Sequence, residues 1–555
     1  MEDKIGIFLC ECGPNIAEKV DFDKVKEAIK NLKSVKFIGQ HKLLCSDDGK
    51  KYIVNAIKEH GLTRLVIAAC SPKQHELTFM KVCEEAGLNP YLFQMANIRE
   101  HCAWIIEDKK EATEKAIQYI KSAYRRVRYH EPLEKKEIEA NPDVLVIGGG
   151  ITGLEVSLAL AQSNRKVYIV EKSSELGGKL KEFNKIFTSM RDAKSFVEDK
   201  IKLVEQEKQI EVLKESEVEE VLGYFGNFIV KVKTQSKESE LKVGAIVVAT
   251  GYELFDGDSL AHYGYGIDDV YTALEFERMV KTGKILTKKG EPPKSVAIIH
   301  CVGRKECGYC SGVCCMYSIK FARYIKEKMK DAEVIEFHRG LTLPDKNYEK
   351  FYKDTKALGV NYIYVKDLLI EGNTKPIIKY KTEEGQFEKQ VDMVVLAQAM
   401  VPPKGIDKLA KTLRIAQDKS GFFIEEHPKL APISTSKEGV FIAGCAQGPK
   451  NIKESIVQAG AVAGRILSSL VPGKKLEPEV RVSQISESLC IGCQTCIKVC
   501  NYGAIYFDEA KRVSRVNEVL CRGCGNCVAS CPSSAIQLKH FTDREIHEEI
   551  VEATR

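Results

Sequence analysis

Residues 144–153 read VLVIGGGITG. The first four, Val144-Leu145-Val146-Ile147, are a short apolar run of the kind that forms a parallel strand buried on both faces. Gly148, Gly150 and Gly153 then fit G-x-G-x-x-G, and a helical pattern, LEVSLALAQSN (154–164), follows. The first glycine permits a tight turn, the second lets a pyrophosphate approach the backbone, and the third lets helix and strand touch. A second strand pattern, KVYIV (166–170), ends in Glu171, about twenty residues past the loop, where a carboxylate meets a ribose hydroxyl. The glycine motif alone is a weak signal. Strand, loop, helix and acid together predict a site for an adenine dinucleotide.

Three later features choose FAD over NAD. Leu176-Gly177-Gly178 follows the acid, Ile246–Gly251 reads IVVATG, and Gly439–Gly444 reads GVFIAG before a helix pattern from Ile452 to Leu467. They resemble, in order, the glycine pair, the ATG strand under the flavin and the strand near the isoalloxazine of thioredoxin-reductase-like flavoproteins with two dinucleotide-binding halves. That resemblance implies Gly178, Thr250, Gly251 and Gly444 as cofactor-binding positions. An Asp usually follows the last glycine in those proteins and holds the ribityl chain; here the residue is Cys445. Ordinary turns would account for any one of these glycines, but not for four landmarks in the correct order.

A second strand, loop and helix pattern runs through Val296–Ile299, CVGRKECGYCSGVCC (301–315) and MYSIKFARYIKEK (316–328). In a flavoprotein of this kind that loop holds a nicotinamide, yet its phosphate-cradling glycines are missing. Cys301, Cys307, Cys310, Cys314 and Cys315 stand there instead. Soft thiolates suit iron–sulfur clusters. A one-electron metal relay is thus expected where a hydride donor would bind. Cys314 and Cys315 are adjacent, so a helix beginning with an irregular turn is expected around them.

Near the C-terminus, Cys490, Cys493, Cys496 and Cys500 have the spacing C-x2-C-x2-C-x3-C, and Cys521, Cys524, Cys527 and Cys531 repeat it. Two copies make the bacterial ferredoxin pattern, in which the fourth cysteine ligates the other cluster. One [4Fe–4S] cluster is therefore expected on Cys490, Cys493, Cys496 and Cys531, and another on Cys521, Cys524, Cys527 and Cys500. Asn501 replaces the usual proline after the first copy without touching a ligand. Zinc ribbons also use C-x2-C, but do not need the third and fourth cysteines at these offsets.

The 555 residues suffice for several domains. A net charge of +6 spread over many Lys and Glu gives no nucleic-acid groove, and runs such as KEKMK (326–330) read as solvated helix faces. No basic n-region or membrane-length apolar stretch is legible, and twenty cysteines indicate metal ligands in a reducing, cytoplasmic setting. The first 138 residues alternate strands (5–10, 36–40, 65–70) with helices, ending in an amphipathic helix over 111–130 that leads toward the FAD domain. Cys10, Cys12 and Cys70 lie at strand ends or just beyond, and Cys45 follows an apolar patch. They make a candidate iron–sulfur site; reduced core thiols with a docking surface are the alternative. Cys83 and Cys102 fall in helical patterns and read as structural. The expected architecture is an N-terminal α/β domain (1–138), a thioredoxin-reductase-like FAD domain (139–475) with the cysteine loop 301–315, an α+β ferredoxin domain (476–541) and a tail (542–555).

The segments CVG…YCSGVCCMYS, AGCAQGPKNIKES (443–455), ACSPKQHE (69–76) and NPYLFQMANIRE (89–100) resemble the A-type polypeptide of heterodisulfide reductase, the flavoprotein of electron-bifurcating complexes in anaerobic metabolism. The resemblance implies a [4Fe–4S] cluster on Cys301, Cys310, Cys314 and Cys315 beside FAD, with Cys307 a spare. It implies that Lys320, one turn past Cys315, approaches the reactive edge of the flavin as a catalytic residue; a surface lysine is the alternative. It also implies B- and C-type partner subunits, a two-electron donor such as a hydrogenase or formate dehydrogenase, soluble ferredoxin, and a homodimer within a larger complex. Many members carry a second ferredoxin module before the ATG strand, where this chain has only a short polar link, QSKESE (235–240). Two readings compete: an NAD(P)H-dependent reductase like the small subunit of glutamate synthase, and a non-catalytic electron-transfer scaffold. The first lacks its second glycine fingerprint.

Overall fold

The computed structural model describes residues 3–234, 237–256 and 258–554. The chain divides into two compact units: residues 1–138 with 477–555, and residues 139–476.

In the first unit, β1 (Ile5–Cys10), β2 (Val35–His41), β3 (Arg64–Ala69) and β4 (Phe93–Asn97) form a parallel sheet in the order β2-β1-β3-β4. All of β1 and nearly all of β3 are buried, as expected for strands covered by helices on both faces. The helices include α1 (Asp47–His60), capped by Ser46 and ended by Gly61 at φ 59°, α2 (Pro72–Glu85) and α3 (Lys109–Val127). Ala112, Ala116, Ile120, Ala123 and Val127 lie on the buried side of α3, the last four in one core with Ile5, Ile7, Leu9 and Val66. The chain turns to opposite sides of β1 to make β2 and β3. Such a switch point leaves a crevice at the carboxyl ends of the strands. Cys10 ends β1 there, and Cys70 directly follows β3.

The second unit holds two five-stranded parallel sheets. In chain order its elements are β5 (Val144–Ile147), α4 (Ile151–Ala161), β6 (Val167–Val170), β7 (Ile210–Leu213), β8 (Ala245–Val248), β9 (Val270–Thr272) and α5 (Ala273–Lys281). β10 (Ser295–Val302), α6 (Cys314–Lys328), β11 (Glu333–His338), β12 (Val360–Tyr364), β13 (Met393–Gln398), β14 (Val440–Ile442) and α7 (Ile452–Ser469) follow. The first sheet has the order β14-β8-β5-β6-β7 and the second β9-β13-β10-β11-β12. Each half also has a three-stranded antiparallel sheet, over 216–243 and 367–390. Of the link QSKESE, Gln235 and Ser236 lie outside the described residues. From Glu238 the chain is already a strand, paired with Asn227–Thr234.

The C-terminal part of the first unit pairs Ser483–Ile485 with Ile536–Leu538 and Ile505–Asp508 with Val513–Val516, both antiparallel. Within residues 542–555, expected as a tail, Asp543–Ala553 instead form α8, started by a Thr542–Glu545 capping box; Arg555 lies outside the described residues. α8 packs on α3, where Arg125 pairs with Glu548 and Glu552, and Arg126 with Glu549, at 2.6–2.9 Å. Complementary charge on two amphipathic helices, 423 residues apart in sequence, makes this segment part of the fold.

Candidate functional site

The three glycines of the first loop do three different things. Gly148 has φ 109°, and a Cβ there would stand 2.4 Å from the Ala249 carbonyl oxygen. A Cβ on Gly153 would stand 1.9 Å from the Gly148 carbonyl, so only glycine lets α4 meet β5. A Cβ on Gly150 would meet nothing within 4 Å, because Gly150 lines a cavity of about 510 Å³. Gly148, Glu171, Gly178, Thr250, Gly251 and Cys445 line it too. Glu171 accepts from the Gly149 N–H at 2.7 Å and the Ser173 N–H at 2.8 Å, so it fixes the loop as well as facing the cavity. Gly444 does not line the cavity. At φ 65° it packs on Thr152, and its N–H donates to Gln458, so its part is to turn β14 toward α7.

These features fit FAD. The first turn of α4 has no side-chain cap, which leaves helix-terminal N–H groups for a pyrophosphate. The Thr250 hydroxyl is buried with no partner at the cavity wall. Cys445 replaces a carboxylate by a thiol that burial pushes up to about 11; its Sγ donates to the Lys450 carbonyl at 3.3 Å. A neutral donor therefore stands where flavoproteins of this kind present a negative acceptor.

Lys320 is not a surface lysine. It is 2 % exposed, lines the same cavity, donates to the Lys185 carbonyl at 3.0 Å and is ion-paired with Glu277. Rings of Phe183, Phe321 and Tyr324 lie 5.2–5.5 Å from its ammonium group. Glu277, on α5, is as buried as its partner, and the amphipathic pattern of its own helix gives no sign of this. Losing one member of such a pair costs roughly 3–5 kcal/mol, because the other stays buried and unpaired.

The cysteine loop leaves β10 at Cys301, which has the left-handed φ 60°, and Gly303, Gly308 and Gly312 also have positive φ. α6 begins at Cys314 itself. The N–H groups of Met316 and Tyr317 share the Val313 carbonyl at 3.1 and 3.3 Å, a sharing common at helix ends. The distortion expected at Cys314–Cys315 thus lies upstream, at Cys301. First-turn N–H groups lack intrahelical partners anyway, so two thiols can sit there without breaking a helix bond. Cys314 is held well above the usual thiol range by its side-chain hydrogen bond with Cys315 and by burial, with Cys301 and Cys310 adding to it. Cys315 is lowered by the hydrogen bond from Cys314, by His300 and by the Thr342 N–H, which lies 3.4 Å from its Sγ. The four expected ligands therefore share one neighbourhood, while Cys307 faces Tyr309 and Glu306. His300 and Glu336, both fully buried and 2.6 Å apart, brace this region from β10 and β11. Val313, Tyr317, Lys320 and Phe321 line the large cavity, so the helix that starts with the two cysteines is also a cavity wall.

In the ferredoxin region Cys490, Cys493, Cys496 and Cys531 line one small cavity. Cys527 feels the charges of Cys521, Cys524 and Cys500. This is the crossed grouping expected from the spacing. Ser483 N–H and Ala504 N–H donate to Cys521 and Cys500 at 3.5 and 3.3 Å, and the Ser483 hydroxyl lies 3.2 Å from Cys527 Sγ. At the N-terminal sheet edge Cys10 feels Cys12 and Cys45, and Cys70 feels Cys12 and Cys10. Those four converge, whereas Cys83 and Cys102 are fully buried within the two apolar cores of the sheet. Among the described residues no three His, Cys, Asp or Glu groups close on a single ion position; a four-iron cluster instead holds its thiolates apart, one to each iron.

Fold and sites together define a flavin-dependent oxidoreductase with iron–sulfur ligand sets. The pyridine nucleotide-disulphide oxidoreductase family matches residues 142–459, with a further match over 106–191, and the 4Fe-4S dicluster domain matches 483–538. The chain is 35% identical to the A-type polypeptide of the H(2):CoB-CoM heterodisulfide,ferredoxin reductase of Methanothermobacter marburgensis, over 92% of this chain and 91% of that one. It is 33% identical to the A-type polypeptide of the ferredoxin/F(420)H(2)-dependent CoB-CoM heterodisulfide reductase of Methanosarcina acetivorans, over 92% of this chain and 76% of that one. A thioredoxin reductase structure from Lactococcus lactis aligns over 59% of this chain and 98% of its own, at 17% identity and a TM-score of 0.43. The chain belongs to the A-type family of heterodisulfide reductase polypeptides.

Proposed function

We propose that this chain is the FAD- and iron–sulfur-bearing subunit of a heterodisulfide-reductase-type complex and takes part in electron bifurcation. One observation carries this: α6 presents Cys314 and Cys315 in its first turn and Tyr317 and Lys320 to the large cavity. Gly148, Gly150, Glu171, Gly178, Thr250, Gly251 and Cys445 would hold FAD. Cys301, Cys310, Cys314 and Cys315 would hold a core [4Fe–4S] cluster, and the crossed ferredoxin sets two more. Cys10, Cys12, Cys45 and Cys70 would hold a fourth. FAD supplies two-electron chemistry when bound, and the clusters supply one-electron steps.

The chain's own residues set the conditions. Lys320, fixed by Glu277, puts a cation into a water-poor wall, where it favours negative charge on whatever lies against it. Phe183 and Phe321 line the same wall and exclude water. Cys445 adds no charge. The names of the relatives carry hydrogen, ferredoxin and F(420)H(2). By analogy the partners here are B- and C-type subunits, a hydrogenase, formate dehydrogenase or other two-electron donor, and soluble ferredoxin, with this chain as a homodimer in the cytoplasm. No helix among the described residues is long and apolar enough to cross a membrane. The test is an anaerobic assay of the assembled complex with its two-electron donor. Ferredoxin should be reduced only when a disulfide acceptor is also present. Equal ferredoxin reduction without the disulfide would replace bifurcation by simple relay.

A further inference from the structure

Four thiols gather at the switch-point edge of the N-terminal sheet, and one cation enters the group. Arg99 opens a five-residue π-turn, Arg99–Ala103, just after β4. Single π-turns are frequent at functional sites. The Arg99 guanidinium donates to Cys12 Sγ at 3.2 Å, to Glu100 Oε1 at 2.8 Å and to Gln74 Oε1 at 3.3 Å, and it lies over the Trp104 ring at 4.7 Å. Cys12 comes from the loop after β1, at the left-handed φ 48° with Gly13 at 57°, so strand, loop and π-turn bring thiol and guanidinium together. The Arg99 side chain is 12 % exposed, yet its Nε has no partner, and neither does Glu100 Oε2. Buried polar atoms are nearly always satisfied, so two orphans beside four thiols point to a ligand and not to a brace alone.

We infer that Arg99 is a positioning residue that raises the reduction potential of an iron–sulfur centre on Cys10, Cys12, Cys45 and Cys70; the inference rests on the proposed reading of those cysteines as ligands. Hydrogen bonds to cluster sulfur and nearby positive charge both stabilise the more negative, reduced state. Glu100 offsets much of the charge, which leaves the single N–H aimed at Cys12 as the main effect. Among the described residues the ferredoxin thiols receive backbone N–H or hydroxyl donors, and Arg304 in the core loop stands 3.9 Å from Cys301. Arg99 therefore gives the N-terminal centre a charged donor at 3.2 Å, closer than the 3.9 Å approach of Arg304 to Cys301 in the core loop.

The experiment uses the full, anaerobically reconstituted chain. Cys10→Ser/Cys70→Ser should lose about four irons and one EPR signal, which identifies the N-terminal centre. Arg99→Gln should keep the irons and shift the centre's one-electron equilibrium about tenfold toward the oxidised form, about 59 mV. Arg99→Lys should shift it less, in the same direction. Unchanged iron in the cysteine variant would overturn the ligand reading and the inference with it. A centre that is present, but whose potential moves in neither Arg99 variant, would overturn the role of Arg99 alone. If Arg99→Gln loses the centre, Arg99→Lys decides, and an unmoved potential there counts against the inference.

Discussion

The two five-stranded sheets of the second unit match over four strands, β8-β5-β6-β7 and β13-β10-β11-β12, differ in whether the fifth strand comes last (β14) or first (β9) in the chain, and have opposite loop chemistry. In the first, three residues (148–150) join the central strand to its helix. In the second, eleven residues (303–313) make the same connection. The first loop is shaped by what it must avoid: any Cβ at Gly148 or Gly153 would strike backbone. The second is shaped by what it must supply, thiols from a strand end, a loop and a helix start. β6 runs into Glu171, the acid that anchors the glycine loop; β11 ends at His338 and carries Glu336 inward to His300. Strand order thus fixes where a cofactor can lie, and the loop residues fix which one.

The largest expected effect tests the glycine side. Gly153→Val puts a branched side chain where even a Cβ would be 1.9 Å from backbone, so it should cost more than about 3 kcal/mol and leave no folded flavin unit in a thermal melt. Gly150→Val separates cradle from scaffold. Its side chain enters the cavity, so the unit should melt within about 1 kcal/mol of the FAD-stripped parent yet purify without FAD. Full flavin occupancy in that variant would dissolve the contrast between the two loops. On the cysteine side, Cys310→Ser should remove about four irons while FAD absorbance stays. Glu277→Gln should keep both cofactors and destabilise the unit by about 3 kcal/mol, because Lys320 stays buried without its carboxylate. The smallest effect is an absence of one: NADH or NADPH should leave the flavin of the isolated chain oxidised. Rapid bleaching would mean that the second sheet still binds a nicotinamide.

What is legible in the sequence follows the range of each constraint. The glycine loop, Glu171 and both ferredoxin runs are legible because each is a local rule of backbone space or metal-ligand spacing. The first turn of α6 departs from expectation because its N–H groups, unlike those of a helix interior, need no partner. Residues 542–555 read as a tail because nothing local shows that Arg125 and Arg126 await Glu548, Glu549 and Glu552. Lys320 is legible as a candidate, but its burial is not, since Glu277 comes from another helix 43 residues away. His300, Glu336 and Arg99 leave no local signal for the same reason. Their meaning comes from neighbours that only the folded sheets supply.

The contrast between the two sheets rests on iron in the second loop, and anomalous scattering at the iron edge from anaerobically grown crystals measures that directly. A four-iron peak is predicted amid Cys301, Cys310, Cys314 and Cys315, beside flavin density in the cavity that Lys320 lines. Iron peaks at the ferredoxin cysteines with none at this loop would contradict it.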